Sequence, residues 1–267
     1  MLIADEYLGK VGVGVTVPLY FRANNGNKYV VKFYNDPMSC RVLVSELFAA
    51  KLGEILGLCF PTSDLVFIKD LMIRENHELC ALGLKPGIHF ASSFLEGAEY
   101  VGKNRLHQVV NISDMAGVVL FDHIFHNPDR AKNQKNLLLR QEDGSYRIYA
   151  IDNSHLFKTS RWTEETFTKL GTKIKIYHFQ HYRTLLNDLL AADNFHHYME
   201  AMKSVTDETI DGIIREIPSE WLPVDSTTRL AFSSYVKMRL AMVEEVWGKI
   251  SLYIPQSRGG RRWLFAN

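Results

Sequence analysis

HNPDRAKNQKNLLLRQEDGSYRIYAID, residues 126–152, is the stretch that decides how this chain reads. After His126, residues 127–135 form a polar loop. It follows an apolar segment expected to be helical and leads into the apolar run Leu137-Leu138-Leu139. Asp143-Gly144 is a dipeptide that favours a two-residue hairpin turn. With the turn there, Glu142 faces Ser145 and Asn136 lies opposite Ile151, beside Asp152. Two oxygen-bearing side chains then converge at the open end of the hairpin, next to the loop that carries Asp129. An aspartate just after an apolar helix can accept the proton of an attacking hydroxyl, and an asparagine a few residues on can give a neutral oxygen to magnesium. The plainer readings are a surface loop between helix and strand, and an Asp152 that caps a helix from Asn153 onward. The register of Asp152 against Asn136 favours the metal.

Working upstream, Tyr29-Val30-Val31-Lys32-Phe33-Tyr34 reads as a strand whose two faces are both largely apolar, so Lys32 must either snorkel or meet an anion. Arg41 to Leu56 reads as a helix ending at Gly57. On that helix Glu46 has Val42, Leu43, Ala49 and Ala50 as neighbours three and four residues away, all apolar. Its carboxylate points at a core and needs a cationic partner, whereas Glu54 has Lys51 within reach and reads as a solvated edge. A strand lysine followed by a helix-buried glutamate is the arrangement that holds a lysine against nucleotide phosphates.

The remaining organisation is coarse. Val15–Ala23 pairs with the Tyr29 strand through the turn Asn24-Asn25-Gly26-Asn27, and Asn35-Asp36-Pro37 breaks that second strand. Asp64–Lys69 and Ile88–Leu95 are further strands. Ser113 is the expected N-cap of a helix from Asp114 to about His126, on which Asp122 reads as a structural carboxylate bracing the loop after it. From about Thr163 the chain is mostly helical. A β-rich first third before a helical remainder predicts an α+β protein of two lobes, residues 1–96 and 97–267, the first a β-sheet plus one helix.

Composition narrows the class. Of 267 residues, 46% are hydrophobic and 12% aromatic, enough for a sizeable core. The formal net charge of +1 gives no strong field, so neither nucleic acid nor an anionic membrane is the expected partner. The three cysteines form no Cys-x-x-Cys pair, which argues against a disulfide framework or a zinc ribbon. Neither a signal peptide nor a bilayer-spanning run is evident, and the cytosol is the simplest compartment. His123/His126 and His178/His181 lack the further ligands a zinc site needs. The basic, aromatic Arg258-Gly259-Gly260-Arg261-Arg262-Trp263 reads as a solvated tail.

Asn127-x-Asp129-Arg130, then Asn136-Leu137-Leu138, then Ala150-Ile151-Asp152-Asn153-Ser154-His155-Leu156, resembles the catalytic and metal-binding segments of HipA-like kinases, distant relatives of phosphoinositide and protein kinases. Gly14–Leu19, Lys28–Phe33, Ser45–Leu58 and Gly87–Leu95 resemble that family's first hairpin, first helix and approach to the hinge. The resemblance covers roughly residues 12–157. It implies a bilobal protein-kinase-like fold, ATP and Mg2+ as cofactors, and a protein serine or threonine as phosphoryl acceptor. It also allows a small-molecule acceptor, an inactive nucleotide-binding module and a regulatory protein partner. By position, Asp129 matches the catalytic base, Asn136 and Asp152 the metal ligands, Lys32 the phosphate-binding lysine and Glu46 its partner. Gly14 and Thr16 fall in the nucleotide-covering hairpin, and Phe94 and Leu95 at the hinge. Asn133 competes with Asn136, and the Gly12-Val13-Gly14 loop is incomplete. Without Asp-Phe-Gly and Ala-Pro-Glu segments, ordinary activation-loop control is not expected.

Overall fold

The computed structural model describes residues 1–12, 17–34, 40–102 and 105–255. Gly14, Thr16, the Asn35-Asp36-Pro37 break and the basic tail lie outside the described residues.

The chain begins with a strand that its sequence did not announce. β1 (Leu2–Lys10) pairs antiparallel with β2 (Leu19–Ala23), and two register shifts, between Ala4 and Glu6 and between Tyr7 and Gly9, interrupt the ladder. Each bulge flips the side-chain alternation, so no clean period of two survives in Leu2–Lys10. β2 turns through Gly26, at φ 81°, into β3 (Lys28–Lys32). The expected start of β2 at Val15 is corrected to Leu19, since Val17 has φ 44° and lies outside the strand.

After β3 come α1 (Cys40–Ile55), β4 (Ser63–Ile68), α2 (Asp70–Arg74), α3 (His77–Ala81) and β5 (Gly87–Ser93). β3 pairs with β5, β5 with β4, and β4 runs parallel to β1, which closes a five-stranded barrel in the order β1-β2-β3-β5-β4. This corrects the expected sheet around one helix. Closure leaves no exposed strand edge. Leu19, Phe21, Val31, Val66, Ile68 and Ala91 fill the interior, and Ile73 of α2 with Leu79 of α3 stops one end.

α1 belongs to the other core. It is buried nearly all round, as a helix packed on several sides must be. Leu43, Leu47, Phe48 and Leu52 join a large cluster with the helices that follow. Those elements are β6 (Glu99–Tyr100), α4 (Met115–Ile124), α5 (Pro128–Lys132), β7 (Leu137–Glu142), β8 (Ser145–Ala150), α6 (Glu164–Leu170), α7 (Gln180–Thr184), α8 (Ala192–Lys203), α9 (Asp207–Arg215), α10 (Thr227–Ala241) and α11 (Val243–Ile250). Phe157 lies at the centre, against Phe48, Phe125, Trp162, Phe167, Phe232 and Tyr235. Gly117 lets α4 close on its neighbours: a Cβ there would come within 2.5 Å of Tyr198 and 2.6 Å of Leu58.

One local expectation is corrected. Ser113 does not cap α4: residues 112–114 form a tight 3-10 turn leading into the helix at Met115, with no side-chain cap. Glu54 is exposed with Lys51 acting on it, as expected, while the Lys51 ammonium also pairs with Glu216 at 2.8 Å. No described helix is long and apolar enough to cross a membrane.

Candidate active site

The loop that carries Asp129 is built from the end of α4. Phe125 closes the helix, His126 takes the left-handed conformation at φ 55°, and Asn127 N–H returns to Asp122 O at 2.8 Å. That is a Schellman-type stop with histidine in the place usually held by glycine. Two further backbone bonds hold it, Phe157 N–H to Phe125 O at 2.8 Å and Lys158 N–H to His126 O at 2.7 Å. Phe157 and Lys158 themselves sit at φ 60° and 71°. A bulky residue with positive φ is strained, and the surrounding aromatic core holds it there.

Pro128, at the first helical position, starts α5 and needs no N–H there. Asp129 follows, half-buried. Its Oδ2 accepts from Asn136 Nδ2 at 2.6 Å, and Asn133 Nδ2 donates to Asn136 Oδ1 at 3.1 Å. Asn133's own oxygen accepts from Lys135 N–H at 3.1 Å, capping the turn over 134–136. Because an ionised carboxylate only accepts, the bond to Asp129 fixes which way the Asn136 amide faces.

The hairpin takes the register expected from Asp143-Gly144. Glu142 pairs with Ser145 and Leu137 with Ala150, both turn residues have positive φ, and Ile151 N–H donates to Asn136 O at 2.9 Å. Asp152 therefore arrives beside Asn136, with φ 63°. Its Oδ1 takes three donors: Lys32 Nζ at 2.8 Å, Ser154 Oγ at 2.6 Å and Ser154 N–H at 3.1 Å. Its Oδ2 has no partner among the described residues.

Lys32 completes the constellation. Its ammonium lies 2.5 Å from Glu46 Oε1 as well as 2.8 Å from Asp152, and Glu46 also accepts Asn153 N–H at 2.9 Å. Burial alone would lower the lysine's pKa, but the flanking Asp152 and Glu46 outweigh it and hold it above its ordinary value. Burial acts against the Asp152 charge too, yet Lys32 and the two Ser154 donors keep that carboxyl well below the usual carboxylate range. Glu46, deeper, is pushed up by burial against the pull of Lys32.

Beneath lies a buried ion pair. Arg130 and Asp122 are both fully inaccessible, 2.5 Å apart. Asp122 also accepts from Asn127 Nδ2 at 3.2 Å and from the Tyr182 hydroxyl. The other guanidinium arm reaches Asn153 Oδ1 at 2.6 Å and the carbonyls of Ile151 and Asp152 at 3.4 and 3.3 Å. Through Arg130, Asp122 ties the loop that carries Asp129 to the strand end that carries Asp152. His123 is structural: it sits between Val119 O and Tyr177 N–H, and burial lowers it to about 4.

Lys32, Glu46, Asp129, Asn133, Asn136 and Asp152 all line one cavity of about 930 Å3, within the range of small-molecule sites, about 300–1,000 Å3. Phe94 and Leu95 line it as well. Phe94 N–H extends the β3 pairing to Lys28 O at 3.1 Å, and the Lys28 ammonium sits 3.9 Å from the Phe94 ring and 4.0 Å from that of Tyr20. Sequence reasoning missed Arg130, Asn153, Ser154 and His155. Each belongs to a quoted motif, but none has a sequence context that demands a partner until the fold brings Asp122, Asp129 and Asp152 beside it.

A closed barrel joined to a helical body, with this constellation lining the cavity, defines a kinase-like α+β protein. The chain belongs to the HipA-like kinase family, whose model matches residues 4–248. Among solved structures it is similar to the proinflammatory kinase CtkA of Helicobacter pylori, at 15% identity and TM-score 0.55, covering 96% of this chain and 98% of that one. It is also similar to hydra Fam20 crystallised with sugar, at 10% identity and TM-score 0.57, covering 98% and 89%. At these identities the likeness is one of fold. No curated protein sequence matches the chain.

Proposed function

We propose that this protein transfers the γ-phosphoryl group of ATP to a hydroxyl, that of a serine or threonine in a protein, and that it does so between two lobes, residues 1–96 and 97–267. The observation that carries this reading is the facing of two groups across one cavity: Lys32 held between Glu46 and Asp152, and Asp129 held by Asn136.

Lys32 is fixed at both carboxylates, so it meets a phosphate without further ordering. Asp129 has one oxygen engaged by Asn136, and the other is assigned to receive the acceptor's proton. Phe94 and Leu95, at the strand end, are assigned to the nucleotide base. Catalysis would then be chiefly positioning and charge neutralisation.

The residues present fit a hard divalent cation. Asp152 Oδ2, without a partner among the described residues, and the amide oxygen of Asn136 are the sort of oxygen donors Mg2+ takes, one carboxylate and one neutral ligand beside phosphate and water. When bound, Mg2+ supplies charge neutralisation to the phosphates. Asn136 is preferred to Asn133 because it immediately precedes β7, whose partner strand leads into Asp152.

The test is incubation of the full chain with γ-labelled ATP and a cell lysate, with and without Mg2+, followed by mass spectrometry of labelled products. Label on protein serine or threonine supports the reading. Label confined to small molecules removes the protein acceptor, and no label transfer or ATP turnover removes the kinase reading.

A further inference from the structure

His155 stands outside the roles assigned so far and closest to Asp129. Its imidazole lines the same cavity, 44% exposed, with Nδ1 4.0 Å from Asp129 Oδ2 and 3.1 Å from Ser154 Oγ. A hydroxyl has one proton to give. Ser154 Oγ donates its proton to Asp152 Oδ1, 2.6 Å away, an oxygen that also takes Lys32. The serine oxygen therefore offers His155 only a lone pair, and Nδ1 must carry the hydrogen in that contact.

This fixes a direction along the chain of groups. Lys32 and Ser154 both donate to Asp152, and His155 Nδ1–H donates toward Ser154 with Asp129 Oδ2 next in reach. Catalytic hydrogen bonds are commonly long before substrate binds and shorten afterwards. A small rotation of a half-exposed ring carries Nδ1–H from Ser154 Oγ to Asp129 Oδ2. That oxygen would then have two donors, Asn136 Nδ2 and His155 Nδ1, leaving Oδ1 as the one that faces the acceptor.

We infer that His155 is a positioning residue for Asp129: its Nδ1–H, set by Ser154, orients the carboxylate so that a single oxygen is presented to the acceptor hydroxyl. The inference rests on the phosphotransfer reading above. It also couples the two ends of the site, because the serine that holds Asp152 sets the tautomer that steadies Asp129.

Two measurements on the full chain test it. Imidazole 15N shifts, assigned by the signal lost in His155→Asn, should show Nδ1 protonated; an unprotonated Nδ1 overturns the inference. Turnover of γ-labelled ATP with water as acceptor is then compared in wild type, His155→Ala and His155→Asn. His155→Ala should lose about ten- to a hundredfold in kcat, the scale of a misplaced reacting group, with KM for ATP within about twofold. His155→Asn, whose amide N–H can replace Nδ1–H, should recover most of it. Wild-type kcat in His155→Ala, or an asparagine variant no better than alanine, removes the positioning role alone. A wild-type chain without ATP turnover removes the reaction, and the positioning role with it.

Discussion

Asn136 Nδ2 lies 2.6 Å from Asp129 Oδ2, so the residue assigned to the metal and the residue assigned to the acceptor's proton are hydrogen-bonded to each other. The amide cannot turn without breaking that bond, so its oxygen is aimed by the aspartate. Replacing Asp129 would therefore remove the assigned proton acceptor and release the asparagine's amide as well.

Asp129→Ala is expected to lower phosphoryl transfer by about a hundredfold or more, the usual weight of a general base. ATP affinity should stay near wild type, because Lys32 and its partners are untouched. Single-turnover rates alongside a fluorescent ATP-analogue titration separate the two. Near-normal turnover in a folded variant would sink the assignment.

Lys32 and Glu46 should behave as one unit. Side chains in direct contact typically couple by about 0.5–3 kcal/mol. Lys32→Met and Glu46→Gln, singly and together, should give a double-mutant cycle in ATP affinity and turnover with coupling above about 0.5 kcal/mol. Strictly additive effects would count against the pairing.

Asp152 predicts an acid limb in stability. Its carboxyl is held below the unfolded value, about 3.9. A carboxyl depressed on folding stabilises the native state above the unfolded pKa, and that contribution is lost as pH falls toward the folded one. Asp152→Asn should therefore flatten the decline below about pH 4. Urea midpoints measured from pH 7 to pH 2 for both proteins give the comparison, and parallel curves would mean that the carboxylate is not held as described.

Asp122→Ala should be costly to the fold. It strands the fully buried Arg130, and removing one partner of a buried ion pair typically destabilises by about 3–5 kcal/mol. Urea unfolding measures this directly. A loss under about 1 kcal/mol would show that Arg130 finds compensation elsewhere.

How far the sequence carried the reading follows from where the determining contacts lie. The hairpin register was legible because a two-residue turn sets it locally, and Glu46 because helix neighbours three and four apart are fixed by geometry. β1 was not, since its bulges erase the alternation, and barrel closure was not, since it depends on β1 meeting β4 some sixty residues on. Ser154 and His155 stood in a motif without a readable role: the hydrogen-bond direction argued for them exists only once Lys32 and Asp152 have met.

The Arg130 hub also says where this chain can change over evolution. The base of the β7–β8 hairpin is pinned from two sides, by Arg130 on the carbonyls of Ile151 and Asp152 and by Asn136 across the strand, while its tip at Asp143-Gly144 is exposed and touches none of the site. The hairpin can therefore lengthen or shorten at the tip by paired residues without moving either end of the active centre, whereas a single residue gained or lost at 133–136 or 151–153 would throw it out of line. Descendants of this chain should differ in hairpin length and agree at its base.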